Sequence, residues 1–206
     1  MSDLQRALGD IREIRKQVAG RTEFRGYGPF AMLGSGVLAL VAALLQRVFV
    51  PDPAQMPVHY LKLWFVTAGA ALVLSAFTVH TRTRRMHSGL SDEMIRMAAE
   101  QFVPALVAGF LLTLVIVFRV PEEVWMLPGL WQIAFSLGIF ASCRSLPRAM
   151  LAPACWFLCT GIACISLRNT RALSPWTMGA PFVMGHILIA AVLRFFAAPA
   201  EEDEDA

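Results

Sequence analysis

Six apolar stretches dominate the pattern of hydrophobic and polar residues along this chain. They cover residues 30–46, 61–80, 102–118, 126–143, 150–167 and 178–196, and none of them contains an Asp or Glu. Each holds about 17–20 residues, the length that an α-helix needs to cross the ~30 Å hydrocarbon core of a bilayer. The pattern therefore predicts an all-α, polytopic membrane protein built as a six-transmembrane-helix bundle.

A further, amphipathic helix is predicted ahead of the first apolar stretch, over residues 2–19. Its apolar residues Leu4, Leu8, Ile11 and Val18 recur at helical spacing, and charges of both signs occupy the opposite face. Mixed signs favour docking on the bundle, on a second protomer or on a cytoplasmic partner over lying on lipid. We interpret residues 1–29 as this helix with a Gly/Pro elbow, residues 30–197 as the bundle and residues 198–206 as a disordered acidic tail.

The elbow at residues 22–29 is the most distinctive short segment of the chain. It combines two glycines and a proline with Glu23, Arg25 and Tyr27. Glycine and proline interrupt helices, so the segment is either a plain connection or a shaped juxtamembrane turn that meets a ligand or partner.

The segment between the second and third apolar stretches begins with a basic cluster formed by Arg82, Arg84 and Arg85. We expect these side chains to contact anionic headgroups, which attract basic residues next to a membrane. Ser91 is the predicted N-cap of a helix that continues into the third stretch.

Basic residues are distributed unequally between the two sides of the predicted bundle. Thirteen of the 18 Lys and Arg residues lie on the side that holds both termini. The positive-inside rule therefore predicts an N-in, C-in topology, in which the first span acts as an uncleaved signal anchor. Arg greatly exceeds Lys, which suits a GC-rich bacterial genome, so we expect a multi-pass protein of a bacterial inner (cell) membrane.

A repeated hairpin, in a 2+2+2 arrangement, is a second interpretation of the same pattern. Pro29, Pro104 and Pro153 lie near the start of the odd-numbered spans, and an Arg closes each of those spans. Since proline at helix starts and arginine at membrane boundaries are both common, chance similarity stays an alternative.

Composition adds two constraints to the class. The chain is 57% hydrophobic and 16% charged, so six spans leave room for tails and short loops but not for a second folded domain. The net charge of +3 follows from the topology-determining arginines, and we do not interpret it as a sign of nucleic-acid binding.

His186 is the principal candidate for intramembrane chemistry because it lies near the middle of the sixth stretch. It could form an interhelical hydrogen bond, relay protons or bind a metal. A metal site would join it to Cys155 and Cys159, which share a helix face, but no metal-binding motif supports this, and apolar packing explains the cysteines equally well. The sequence predicts no cofactor and no disulfide framework.

Two functions remain open. No phosphate-binding, nucleophile or paired-carboxylate motif is present, so enzymatic activity is not favoured. The first hypothesis is a non-enzymatic interaction, scaffold or sensory module that acts through the N-terminal helix and self-associates as a homo-oligomer. The alternative is a small uncoupled transporter or channel with a site near His186.

Overall fold

The structure is a computed structural model, and it describes residues 29–85, 89–143, 146–168 and 170–195. Its helices are α1 (Pro29–Phe49), α2 (Pro57–Arg85), α3 (Gly89–Arg119), α4 (Leu127–Ser142), α5 (Leu151–Ser166) and α6 (Pro175–Phe195). Short 3₁₀ helices cover Pro121–Met126, Arg148–Met150 and Thr170–Leu173. No β-strand occurs in these ranges.

The prediction of six apolar helices is confirmed. Six helical segments of the described chain are long and apolar enough to cross a membrane, each with 19–22 residues. At 1.5 Å of rise per residue, 20 residues span about 30 Å, which matches the hydrocarbon core. The described part of the chain is therefore all-helical, and its six apolar helices indicate a multi-pass membrane protein.

The structure corrects the predicted start of one helix. Helix α3 begins at Gly89, so Ser91 lies within the first turn and is not the N-cap that the sequence predicts. The predicted continuation of this helix into the third span is confirmed, because α3 runs without a break to Arg119. Pro104 lies inside α3 but near the start of the third span, Glu100–Arg119, where the hairpin-repeat interpretation places it. The repeat itself stays a prediction.

Several predicted features lie outside the described residues. These are the amphipathic helix at residues 2–19, the elbow residues Glu23, Arg25 and Tyr27, and the acidic tail at residues 198–206. The side chains of Arg82, Arg84 and Arg85 lie outside the described part as well, although their backbone ends α2. The predictions made for them, including lipid contact and topology, stay predictions.

The six helices form an open ring. Helix α1 packs most extensively on α6, α4 packs on both α3 and α5, and the ring continues through contacts of α5 with α6 and of α1 with α2. The order around the ring is therefore α2, α1, α6, α5, α4, α3. Helices α2 and α3 stand at its two ends and do not pack extensively on each other.

Two glycines allow α4 and α5 to pack backbone to backbone. A Cβ atom at Gly129 would lie 2.6 Å from the carbonyl oxygen of Gly161, and one at Gly161 would lie 2.8 Å from the carbonyl oxygen of Gly129. Real Cβ atoms do not tolerate such distances from backbone. Close approach of this kind stabilises membrane helix pairs, because lipid tails leave no hydrophobic force to drive helices together.

We expect Gly161→Ala to destabilise the bundle by about 1–3 kcal/mol, because overpacking forces α4 and α5 apart. Gly69→Ala is the matched control, since a Cβ atom there would meet nothing within 4 Å. Thermal unfolding of the purified protein in mild detergent measures both variants. Equal melting temperatures for the two variants would contradict the proposed tight crossing.

Candidate functional site

A central cavity of about 360 Å³ lies inside the open ring. Its wall is built by α1, α2, α3, α4 and α6, with Leu146 and Met150 contributed by the connection to α5. Trp64, Trp131 and Met178 line one end, and Met150 and Leu193 line the other. The cavity therefore runs along the inside of the ring, beside α2 and α3, which meet through the edge-on ring pair Phe65–Phe110 at a centroid distance of 6.1 Å.

Buried polar contacts brace the end of the bundle at which Trp64 and Trp131 lie, here called the tryptophan end. Gln46 is fully buried in α1. Its Nε2 donates to the carbonyl oxygen of Leu173 at 2.7 Å, and its Oε1 accepts from Trp64 Nε1 at 2.9 Å. One side chain thereby connects α1 to α2 and to the 3₁₀ helix before α6.

Gln132 performs a similar role between α4 and α6. Pro181 has no N–H group, so the carbonyl oxygen of Thr177, one turn earlier in α6, loses its usual helical partner. Gln132 Nε2 donates to that oxygen at 2.9 Å and also lies 3.2 Å from the carbonyl oxygen of Pro128. The buried glutamine thus satisfies a carbonyl that the proline leaves without a donor.

Aromatic packing completes the tryptophan end. Tyr60 is fully buried and stacks on Trp131 with ring centroids 6.4 Å apart, while Trp131 Nε1 donates to Thr113 Oγ1 at 2.8 Å. Two buried polar atoms of the described chain have no hydrogen-bond partner, the Tyr60 hydroxyl and Gln132 Oε1. Internal water molecules commonly satisfy atoms of this kind.

His186 lies on the cavity wall, as the only titratable side chain among its described lining residues. It is 7% exposed, and Nδ1 lies 2.7 Å from the carbonyl oxygen of Phe182. Because a carbonyl oxygen can only accept, Nδ1 carries the proton. The rings of Phe135, Phe157 and Phe182 surround the imidazole at centroid distances of 5.9, 6.4 and 6.0 Å.

The structure does not group His186 with Cys155 and Cys159, the three residues of the metal site that the sequence offers as an alternative. Cys155 and Cys159 are exposed on α5, which contributes no lining residue to the cavity, whereas His186 is buried. Within the described ranges, no three His, Cys, Asp or Glu side chains are grouped closely enough to hold a metal ion. Cys143 lies just beyond α4 and is partly buried.

The sequence reasoning missed Gln46 and Gln132. Both are amide side chains inside apolar stretches, and both are fully buried. Polar residues in spans commonly join helices through hydrogen bonds, so their type and place in the sequence carried a signal. The signal did not identify their partners, which include the carbonyl oxygens of Leu173 and Thr177, both distant along the chain.

Comparisons with known proteins identify no relative, since no family model, no curated protein and no solved structure matches this chain. The cavity and its residues are therefore the basis for any functional conclusion.

Gln46→Met should lower the free energy of unfolding by roughly 2–4 kcal/mol, because it leaves the Leu173 carbonyl and the Trp64 indole without their partners. Methionine has nearly the same volume as glutamine, so the decrease in the free energy of unfolding measures the loss of the hydrogen bonds. Gln55→Met is the control, since Gln55 is exposed. Unfolding in detergent, followed by circular dichroism, should separate the two variants, and matching transitions would argue against the bracing role.

Proposed function

We propose that this protein is a membrane-embedded binding protein whose central cavity takes up a small, neutral, largely apolar molecule, the arrangement expected of an uncoupled carrier. The observation that carries the proposal is the cavity itself, which reaches His186 in the interior of the bundle. A bundle that served only as an anchor or scaffold would need no such space.

The size of the cavity supports a small ligand. Its volume of about 360 Å³ lies at the lower end of the ~300–1,000 Å³ typical of ligand pockets. An engineered cavity of roughly 150 Å³ in another protein already accepts benzene. A molecule with one ring or a short alkyl chain fits this range.

The chemistry of the wall supports a neutral ligand. No Asp, Glu, Lys or Arg is among the described residues that line the cavity. Burying an ion without a paired charge or polar contacts has a large desolvation free energy, and contacts with an apolar surface do not offset it. Ion-coupled transport usually relies on buried carboxylates, which is a further reason to favour an uncoupled carrier over an ion-driven one.

The open side of the ring supports exchange with the bilayer. The cavity is lined by Ala68 and Ala71 of α2 and by Ala105 and Gly109 of α3, four small residues on helices that do not pack extensively on each other. An apolar ligand dissolved in the membrane therefore has a short route into the bundle between these helices.

The scaffold hypothesis based on the N-terminal helix stays a prediction, because residues 2–19 lie outside the described part of the structure. The two hypotheses are compatible, since a ligand-binding bundle can also present a cytoplasmic helix to a partner.

Saturable binding of 1-bromooctane is the expected result for the protein in lipid nanodiscs. Bromine quenches indole fluorescence on contact, and Trp64 and Trp131 both line the cavity. Trp176 is 46% exposed and is replaced by Phe to reduce quenching from the bulk lipid. Fluorescence titration should give a saturable component above a linear background.

A matched pair of variants localises this binding. Ala71→Phe fills part of the cavity, so it should remove most of the saturable component. Ala70→Phe adds the same volume at an exposed neighbouring position that does not line the cavity, and it should leave the component unchanged. Purely linear quenching in the parent protein, or equal curves for the two variants, would refute the proposed function.

A further inference from the structure

Most hydrogen-bond donors of the cavity wall already have partners within the protein, whereas one acceptor has none among the described residues. This difference indicates which ligand groups the wall can bind. The hydroxyl groups of Ser35, Thr67 and Ser142 each donate to the carbonyl oxygen one turn earlier in their own helix. The indole N–H groups of Trp64 and Trp131 donate to Gln46 and Thr113. Most donors of the wall are therefore engaged before a ligand arrives.

His186, in contrast, has a hydrogen-bond acceptor that is not engaged by the described part of the protein. Its Nδ1–H is committed to the Phe182 carbonyl, which leaves Nε2 of the neutral imidazole as an acceptor. No residue in the described ranges makes a hydrogen bond to Nε2. Ser75 is the other lining polar side chain for which the described residues provide no hydrogen bond.

We propose that the ligand of this cavity is a neutral amphiphile with one hydrogen-bond-donating group, of the alcohol or phenol class, whose O–H donates to His186 Nε2 while its apolar body lies against α2 and α3. This inference rests on the proposed function and specifies the ligand of the same site. A ligand with only acceptor groups would bind less tightly, since few donors of the wall remain without a partner.

The aromatic environment supports this role for the imidazole. Phe182 stacks on the ring at an interplanar angle of 29°, and Phe157 meets it edge-on at 84°. Gly36 lies on the neighbouring α1, where a Cβ atom would be 3.3 Å from His186 Cβ. The ring is thus held between α1 and the phenylalanine cluster, and an acceptor held in one place binds a donor with little loss of conformational entropy.

The test compares two probes that differ in one donor. In the tryptophan-quenching titration, 8-bromo-1-octanol should bind about threefold to tenfold more tightly than 1-bromo-8-methoxyoctane, the range that one net hydrogen bond provides. His186→Phe keeps an aromatic ring but removes the acceptor, so it should make the two affinities equal. Ser75→Ala should keep the preference for the alcohol.

The outcomes separate the two proposals. Saturable but equal binding of the alcohol and the ether by the parent protein overturns the ligand class and leaves the proposed function standing. Absence of saturable binding by either probe overturns the proposed function and this inference with it. An alcohol preference that survives in His186→Phe and disappears in Ser75→Ala assigns the acceptor to Ser75 and overturns the role of His186. The parent-protein comparison needs no variant, so misfolding of His186→Phe does not block the test.

Discussion

The structure depends on one constraint: every backbone carbonyl at hydrocarbon depth needs a donor from within the protein, because lipid supplies none. Regular helices meet this constraint by themselves, but Pro181 interrupts the hydrogen bonding of α6 inside its span. The 3₁₀ helix Thr170–Leu173 leads into the same span from the connection before it. Gln132 and Gln46 supply the missing donors to the carbonyls of Thr177 and Leu173. The two buried glutamines therefore make the irregular entry into α6 compatible with a membrane.

The braced tryptophan end also determines where the cavity begins. Gln46 connects α1, α2 and the segment before α6, and Gln132 connects α4 to α6, so these helices are held at fixed separations near that end. Farther along the bundle the small residues of α2 and α3 no longer fill the space between them, and the interior opens. Phe135 and Phe182 form the opposite wall beside His186, and Phe157 packs behind Phe135 with ring centroids 4.8 Å apart.

The fold class was accessible from the sequence because hydrophobic length is a local property. Six stretches without acidic residues are enough to predict six spans, and each corresponds to a helix of the described chain. His186 could be singled out for the same reason, since an ionisable residue stands out in an apolar stretch. The helix start at Gly89 was missed because Ser91 is a residue type that favours the N-cap, whereas the structure places it within the first turn.

The cavity itself could not be predicted from the sequence. It arises from a packing order in which α1 packs extensively on α6 while α2 and α3 pack little on each other, and this order depends on contacts between residues far apart along the chain. Gly161, for example, is one of many small residues in the sequence, and only the structure shows that its backbone packs on that of Gly129. Likewise, a glutamine in an apolar stretch indicates a polar contact but does not reveal which carbonyl it reaches.

The sparse packing of α2 has a mechanical consequence. Only 6% of the residues in its spanning window are buried, against 44% for α1, so α2 is the least embedded of the six spans. The lateral pressure of the bilayer then acts directly on this helix and on the gap between it and α3. Because residues of this helix line the cavity, the width of the cavity depends on the least embedded span of the bundle and on the bilayer that adjoins it.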